Sequence, residues 1–294
     1  MESRVQTFSE DALNKLSENS DQLFLFLDSD YFENSVDEVK AIEISVTIAL
    51  LWENSPLWDE YKYDGPIIVQ LNEGSQLITH FIENWAEENT GIILQSSEKL
   101  EEVFEHLQSL IFTAEPDDTL TRLRLYEPRK LRGIVEAMQE DNDLENLMGP
   151  IEKFIWQENC GQESTWLTTK NPKPQSAQHD ISDEHWFAFS KKQNDIIAQN
   201  EVRYFFRNLA WQLSEDFDLK IDEAQKQSET LTREARTMGF MENDDMETYV
   251  RLRMQYGDFR SNKSVQEQLN NTNHRPGGRL TKIKVFLEKT LGEN

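Results

Sequence analysis

Short apolar runs alternate with amphipathic stretches through the first half of the chain. Short apolar runs are typical of buried strands, and apolar positions that recur at helical spacing are typical of helices. The predicted strands are 22–27, 66–71 and 91–94, and the predicted helices are 77–85 and 97–111, the latter with Ser97 as its N-cap. Residues 44–52 are so apolar and β-branched that both helix and strand stay open. This order predicts an α/β N-terminal lobe in which helices flank a mostly parallel or mixed sheet.

Residues 119–131 join a strand-like stretch to an abrupt helix start. Leu120, Leu123 and Leu125 lie in a run that also carries two arginines. Pro128 then stops the strand, because it has no N–H to donate and its fixed φ suits the first turn of a helix. An apolar stripe over 131–138 follows at helical spacing. The sequence therefore predicts an arginine-bearing strand that hands over to a helix at Pro128.

The second half predicts an all-α lobe. Residues 161–182 are polar and contain two prolines, which is typical of a linker. A long helix is predicted to begin at Ser182 or Asp183, and further helical stripes follow it. The predicted organisation is an α/β domain over 1–160, a linker over 161–182 and a helical lobe over 183–294.

Charge is distributed unequally along the chain. Residues 1–160 hold 11 Lys and Arg against 34 Asp and Glu, whereas residues 161–294 hold 19 against 21. The acidic N-terminal lobe disfavours nucleic acid as a partner, because it would repel phosphates. Two interpretations stay open: the acidic surface steers a basic partner, or it only keeps the protein in solution.

The remaining composition bears on the compartment. Cys160 is the single cysteine, so an internal disulfide is impossible and no oxidising compartment is needed. The N-terminus is acidic and polar, unlike a secretory signal, and the longest apolar runs are too short to cross a bilayer. We therefore expect a cytoplasmic protein without membrane insertion.

Four motifs occur in order along the first 157 residues. They are Leu23–Asp28, Asp64–Leu71 with Gly65 and Pro66, the stretch Arg124-Leu125-Tyr126-Glu127-Pro128-Arg129, and Gly149-Pro150-Ile151 followed by Trp156. This order resembles the adaptor (chaperone) family that loads toxic effectors onto the spike of bacterial type VI secretion systems, catalogued as domain-of-unknown-function family 4123. Two positions depart from it: Glu127 replaces an aspartate, and Pro116-Asp117-Asp118 replaces a glycine before the arginine strand.

The resemblance implies a non-enzymatic adaptor in the bacterial cytoplasm. Its partners would be a secreted effector (toxin) and the spike protein of the type VI apparatus, and it would need no cofactor. The α/β lobe would hold the spike or the N-terminal segment of the effector, and the helical lobe would complete the grip on the cargo. Such a protein needs grooves and exposed anchors rather than a catalytic set.

Two groups of candidate residues follow from these motifs. The predicted partner-binding residues are Arg129, Lys130, Arg132, Trp58 and Trp166, because arginine pairs with carboxylates and aromatic side chains anchor interfaces. The residues expected to build the motif architecture are Asp28, Gly65, Pro66, Arg124, Tyr126, Glu127, Pro128, Gly149, Pro150 and Trp156. No catalytic, cofactor-binding or metal-binding residue is assigned.

Two other functions are alternatives to the adaptor. Asp28-Ser29-Asp30 after a buried strand is similar to the start of metal-dependent phosphatases, but the later carboxylate pair that this chemistry needs is badly placed at Asp244-Asp245, where a helix begins. The simpler interpretation is that Asp28 caps a turn. An acidic immunity protein that neutralises a basic toxin is the third hypothesis.

The segment 179–185 and Cys160 also carry candidate chemistry. His179 and His185 flank three carboxylates, a ligand set suitable for zinc or manganese, yet helix capping explains Ser182 and Asp183 more simply. Cys160 has no adjacent base that would activate it and is expected to pack as a small apolar residue.

Overall fold

The computed structural model falls into two compact units. It describes residues 3–16, 23–55, 57–114, 119–160, 163–176, 179, 186–271 and 273–291. The first unit contains residues 1–159 and 163–201, and the second contains 160–162 and 202–294. The predicted boundary near 160–183 therefore differs from the observed one, which falls between residues 201 and 202.

Nine strands are described, and seven of them form one sheet. The strands are β1 (Gln6–Thr7), β2 (Leu23–Leu27), β3 (Thr47–Leu50), β4 (Ile67–Gln70), β5 (Gly91–Gln95), β6 (Phe112–Ala114), β7 (Leu120–Arg122), β8 (Lys153–Cys160) and β9 (Glu163–Lys170). The large sheet has the order β1-β9-β8-β5-β2-β4-β3. Strands β6 and β7 form a separate two-stranded sheet, and Ala114 of β6 also bridges to Ala188. The arginine-bearing strand therefore lies outside the central sheet, contrary to the prediction.

The sheet is antiparallel, so the predicted mostly parallel or mixed sheet is wrong. Strand β2 runs antiparallel to both of its neighbours, β4 and β5, and β3 runs antiparallel to β4. Two strands that are both antiparallel to a third share one direction. Strands β2 and β3 are therefore parallel to each other with β4 between them, and β4 and β5 are parallel with β2 between them.

Each strand–helix–strand unit is thus split by an antiparallel strand. Helix α2 (Ser35–Ile42) connects β2 to β3, and helix α3 (Gln76–His80), which continues as a π-helix over Phe81–Trp85, connects β4 to β5. Alternation along the sequence is the same whether such strands are neighbours or are separated. The sequence pattern therefore indicated the element order but not the inserted strand.

Helices cover both faces of the sheet. The helices that lie wholly within this unit are α1 (Glu10–Asn14), α2, α3, α4 (Leu100–Ser109), α5 (Pro128–Ala137) and α6 (Asp141–Met148). Because side chains alternate along a strand, β2 sends Leu23, Leu25 and Leu27 to a core with α2 and α3. Its other face sends Phe24 and Phe26 to a core with α4, α5 and α6. A strand buried on both faces reads as the continuous apolar run seen in the sequence.

Two predicted helix starts have different outcomes. Pro128 is the first residue of α5, as predicted. Ser97 is not the cap of α4, which begins at Leu100 after Lys99. The hydroxyl of Ser96 takes the local role instead: it accepts the Glu98 N–H at 3.1 Å and donates to the Pro150 carbonyl at 2.7 Å.

Strand β9 corrects the predicted linker over 161–182. Residues 163–170 join the large sheet between β1 and β8. Three threonines and a tryptophan occupy this stretch, and β-branched and aromatic residues favour strands. Thr168 and Thr169 are buried, so polar composition concealed a core strand.

The second unit is helical, as predicted. Its helices are the later part of α7 (Lys191–Asp216), α8 (Ile221–Thr237), α9 (Asn243–Tyr256), α10 (Lys263–Leu269) and α11 (Pro276–Leu291). The predicted helix start at Ser182 or Asp183 lies outside the described residues. Apolar side chains of α9 and α11, such as Tyr249 and Ile283, form one core of this unit.

An ion-pair network ties together the segments that surround that core. Glu234 accepts hydrogen bonds from the Tyr249 hydroxyl and from Arg253 Nε, the latter at 2.8 Å. Arg260 Nη1 lies 2.9 Å from the same carboxylate. Among the described helices, none is long and apolar enough to span a membrane.

Candidate functional site

Asp28 lies at the carboxyl end of β2, almost buried. Its Oδ1 accepts the N–H of Asp30 at 3.2 Å and caps a 3₁₀ turn over Ser29–Tyr31. The capping role considered from the sequence is therefore the one that the structure shows. Burial raises the pKa of Asp28 to about 6, and the charge of Asp30 adds to this increase, whereas the Asp30 N–H and Arg124 oppose it.

The Tyr126 side chain reaches the same end of β2. Its ring is buried and meets Phe26 edge to face, with 5.3 Å between centroids and 69° between planes. Burial, and then the charge of Asp28, raise the pKa of Tyr126 above its usual range, so the phenol stays neutral. Tyr126 therefore fixes the strand-to-helix segment onto the central strand.

Glu127 occupies the turn between Tyr126 and α5. Its carboxylate lies 3.5 Å from Lys130 Nζ and 3.9 Å from Arg124 Nη1. Arg124, which was expected to build the motif architecture, thus pairs with Glu127. Exposure is partial on both sides, and such pairs contribute at most about 1 kcal/mol to stability.

The Gly65–Pro66 motif lies beside the 3₁₀ turn over Ser29–Tyr31. The Ser29 hydroxyl donates to the Gly65 carbonyl and lies 3.0 Å from the Ser35 hydroxyl. A Cβ at Gly65 would stand 2.4 Å from the Trp52 ring, so only glycine fits against this indole. Three of the four sequence motifs thus meet at one end of β2.

The fourth motif lies at the opposite end of the sheet. Gly149 ends α6 with φ of +52°, and a Cβ there would stand 2.4 Å from the His106 ring. The carbonyl of Gly149 accepts from the Asn171 side chain at 2.9 Å. Trp156, which was expected to build the motif architecture, is fully buried in the core on the α4–α6 side of the sheet. These residues build the fold and do not contribute to the Asp28 end.

The predicted basic binding residues differ in their surroundings. Arg129 is exposed in the first turn of α5. Lys130 faces Glu127, as described above. Arg132 binds Glu158 through Nε at 2.7 Å and lies 3.6 Å from Glu136, so its charge is already paired with carboxylates of the first unit.

The two predicted tryptophan anchors are far apart in the fold. Trp58 lies in the β3–β4 connection, half-buried, and packs against Trp52 with 5.1 Å between centroids and 34° between ring planes. Trp166 lies on β9 and packs with the Phe81 core on the other face of the sheet. The structure therefore brings Trp58, but not Trp166, to the side of the sheet that carries α5.

Apolar side chains protrude from the same β3–β4 connection. Leu57, Tyr61 and Tyr63 expose 63%, 54% and 69% of their surface, respectively. The Gln108 side chain holds the start of the connection by donating to the carbonyls of Leu51 and Glu53 at 3.1 and 2.6 Å. This connection is thus anchored at its base and apolar at its tip, a combination common at interfaces.

A groove separates β7, α5 and the first turns of α7. We call it the basic groove; its volume is about 310 Å³. Its charged lining residues are Arg122, Arg124, Lys130 and Glu201, and its apolar lining includes Leu123, Ile134, Phe189 and Ile197. None of the α7 residues was a predicted site residue, because they follow Lys130 by more than sixty positions and share no motif with it.

The basic groove continues toward the tryptophans of the β3–β4 connection. The Arg122 guanidinium lies 5.4 Å from the centroid of the Trp52 ring, against which Trp58 packs. A cation over an aromatic face is attracted by it. Because Trp52 is buried, Arg122 connects the groove to the base of the aromatic connection.

The other chemical candidates gain little from the structure. Among the described residues, no group of three His, Cys, Asp or Glu side chains is arranged to hold a metal. His179 stacks on Trp186 with 4.2 Å between centroids, whereas residues 180–185 of the predicted ligand set lie outside the described residues. Cys160 is buried and is in no disulfide, in agreement with a packing role.

The residues that meet at the Asp28 end coincide with a known sequence family. Residues 23–143 match the family described as a domain of unknown function (DUF4123). This DUF4123 segment begins with β2, ends within α6 and contains three of the four motifs. No curated protein and no solved structure matches the chain significantly.

Proposed function

We propose that this protein is a non-enzymatic adaptor that binds a type VI secretion effector and helps to load it onto the spike protein. The observation that carries the proposal is the DUF4123 match, with its motif residues gathered around Asp28 and Tyr126. The link from this family to type VI secretion comes from the resemblance of the motifs. The bacterial cytoplasm is the expected location, because loading precedes secretion.

The surface next to the motif residues supports a binding role. An adaptor must present anchors that a partner covers, and exposed aromatic side chains beside arginine are enriched at interfaces. Tyr61 and Tyr63 protrude from the β3–β4 connection, and Arg122 lies between that connection and the basic groove. The motif residues would hold this surface in place rather than react.

Co-expression tests the proposal directly. The chain would be tagged and produced with the effector and the spike protein that are encoded beside its gene. We expect one or both to be captured in stoichiometric amounts, and an effector from an unrelated secretion cluster to be absent. If neither neighbouring protein is retained by the folded chain, the adaptor function is wrong.

A further inference from the structure

Positive charge in the acidic part of the chain is concentrated in one place. Five of the eleven Lys and Arg residues of segment 1–160 fall within 122–132. Three of these five, Arg122, Arg124 and Lys130, line the basic groove, and Glu201 is the only carboxylate among the described residues that line it. Glu127 pairs with Lys130 and Arg124, so these two cations are partly neutralised. Arg122, Arg124 and Lys130 still outnumber Glu201 and Glu127, so the groove keeps a positive excess on a lobe that carries 34 acidic residues.

The interior of the groove is apolar. Leu123 and Phe189 are almost buried at its base, and Ile134 lies on the side of α5 that faces it. Ile197 and Ala198 of α7 form the opposite wall. An apolar interior under a cationic rim favours a ligand that has apolar side chains and carboxylates close together.

We propose that the basic groove binds a segment of the effector in which carboxylates stand beside apolar side chains. The inference rests on the proposed function and deepens it by naming the chemistry of the bound segment. The Arg122 guanidinium lies 5.4 Å from the centroid of the Trp52 ring, and arginine pairs with carboxylates through its N–H groups. The apolar side chains of the segment pack on Phe189 and Ile197.

The surrounding charge makes this recognition selective. An acidic segment is repelled by most of the lobe and is accepted only where Arg122 and Lys130 face it. Like charges placed against each other cost free energy, so a shifted or unrelated acidic segment is rejected. The acidic surface then limits the register of the bound segment, and the groove supplies the attraction.

Overlapping peptides that cover the neighbouring effector provide the probe. Binding of labelled peptides to the full chain would be measured by fluorescence anisotropy. We expect the tightest peptides to contain Asp or Glu beside Leu, Ile or Phe, and to bind about tenfold more weakly when their acids are replaced by amides. Their affinity falls as salt rises, since the attraction is electrostatic.

Two kinds of variant test the location. The double variant Arg122→Gln/Lys130→Glu removes two of the three cations that line the groove, and Lys99→Glu, an exposed charge reversal outside the groove, is its control. Ala198→Trp fills the groove from an exposed position of α7, and Gln199→Trp adds the same bulk one residue further along. We expect at least tenfold weaker peptide binding for the first member of each pair and little change for the second.

The outcomes separate the two claims. If the effector is captured but the groove variants bind its peptides as tightly as the wild type, the groove is not the site, and the adaptor function stands. If the effector is not captured at all, both claims fail. Thermal melting of each variant distinguishes lost binding from lost folding, and Ala198→Trp gives an independent answer where the double variant is unstable.

Discussion

The Asp28 end of β2 and the basic groove both take side chains from residues 122–132, but these side chains are buried at the first and partly exposed at the second. Tyr126 is buried against Phe26, and Pro128 is held at the start of α5. Arg122 and Lys130, within a few residues, line an open groove. Residues 122–132 thus supply one set of side chains to the packed interior and another set to the surface. The comparison teaches that a motif can mark the support of a binding site rather than its contacts.

The largest effect is expected at Tyr126, on the folded side of the comparison. Tyr126→Ala removes a buried ring, and deletions of this size cost about 3–5 kcal/mol of unfolding free energy. Urea denaturation measures the loss. Tyr126→Phe keeps the ring and serves as the control, with less than about 1 kcal/mol expected. A small loss in Tyr126→Ala would show that the ring does not fix the segment.

Gly149 tests whether the far end of the sheet is equally constrained. Gly149→Ala places a methyl group against the His106 ring at positive φ, so we expect a loss of about 2–4 kcal/mol. Gly74→Ala is matched, because Gly74 has φ of +69° and open space around its Cβ position. It should lose only roughly 1 kcal/mol. Equal losses in the two variants would rule out the contact with His106 as the cause.

Asp28 makes the folded side depend on pH. The folded protein keeps its proton up to about pH 6, whereas the unfolded chain releases it near pH 4. The folded state therefore binds more protons between these values, and the contribution of Asp28 to stability falls as pH rises through this window. Above pH 6 the carboxylate is ionised in both states, and the free-energy cost of burying its charge remains.

Asp28→Asn should remove that penalty and keep the cap, because an amide oxygen also accepts the Asp30 N–H. We expect the variant to be more stable than the wild type by about 1–2 kcal/mol at pH 7.5 and equally stable at pH 4. Denaturation curves at the two pH values check this. A variant that is less stable at pH 7.5 would mean that the ionised carboxylate is favourable in the fold.

The smallest effect on stability is expected at Arg129, on the exposed side. A glutamate in the first turn of α5 suits the helix dipole, so Arg129→Glu should change stability by less than about 1 kcal/mol, in the favourable direction. Capture of the effector should nevertheless fall, because the charge of an exposed, predicted partner-binding residue is reversed. Clear destabilisation would move Arg129 to the structural side of the comparison.

Much of the fold could be predicted from the local sequence pattern, and each error of that prediction has a physical cause. The apolar runs at 23–27 and 67–70 identified buried strands because both of their faces are covered. Strand direction was missed because a split unit has the same sequence order as an unsplit one. Strand β9 was missed because Thr168 and Thr169 are polar in sequence and buried in the fold.

The candidate site was only partly visible in the sequence. Arg124 and Lys130 were recognisable as a cluster of positive charge in an acidic stretch. Phe189 and Ile197, which complete the groove, come from a segment whose approach to α5 depends on tertiary packing. Arg132 was predicted to bind a partner, but it forms an ion pair with Glu158 of β8. The two residues are 26 positions apart, and no helix or strand spacing predicts such a pair.

The most direct test of the account is to measure effector affinity and thermal melting together for the Arg122→Gln/Lys130→Glu variant. The account predicts that the melting temperature stays within a few degrees of the wild type, while the effector binds at least about tenfold more weakly. Unchanged affinity in a folded variant would contradict the assignment of these side chains to the partner surface.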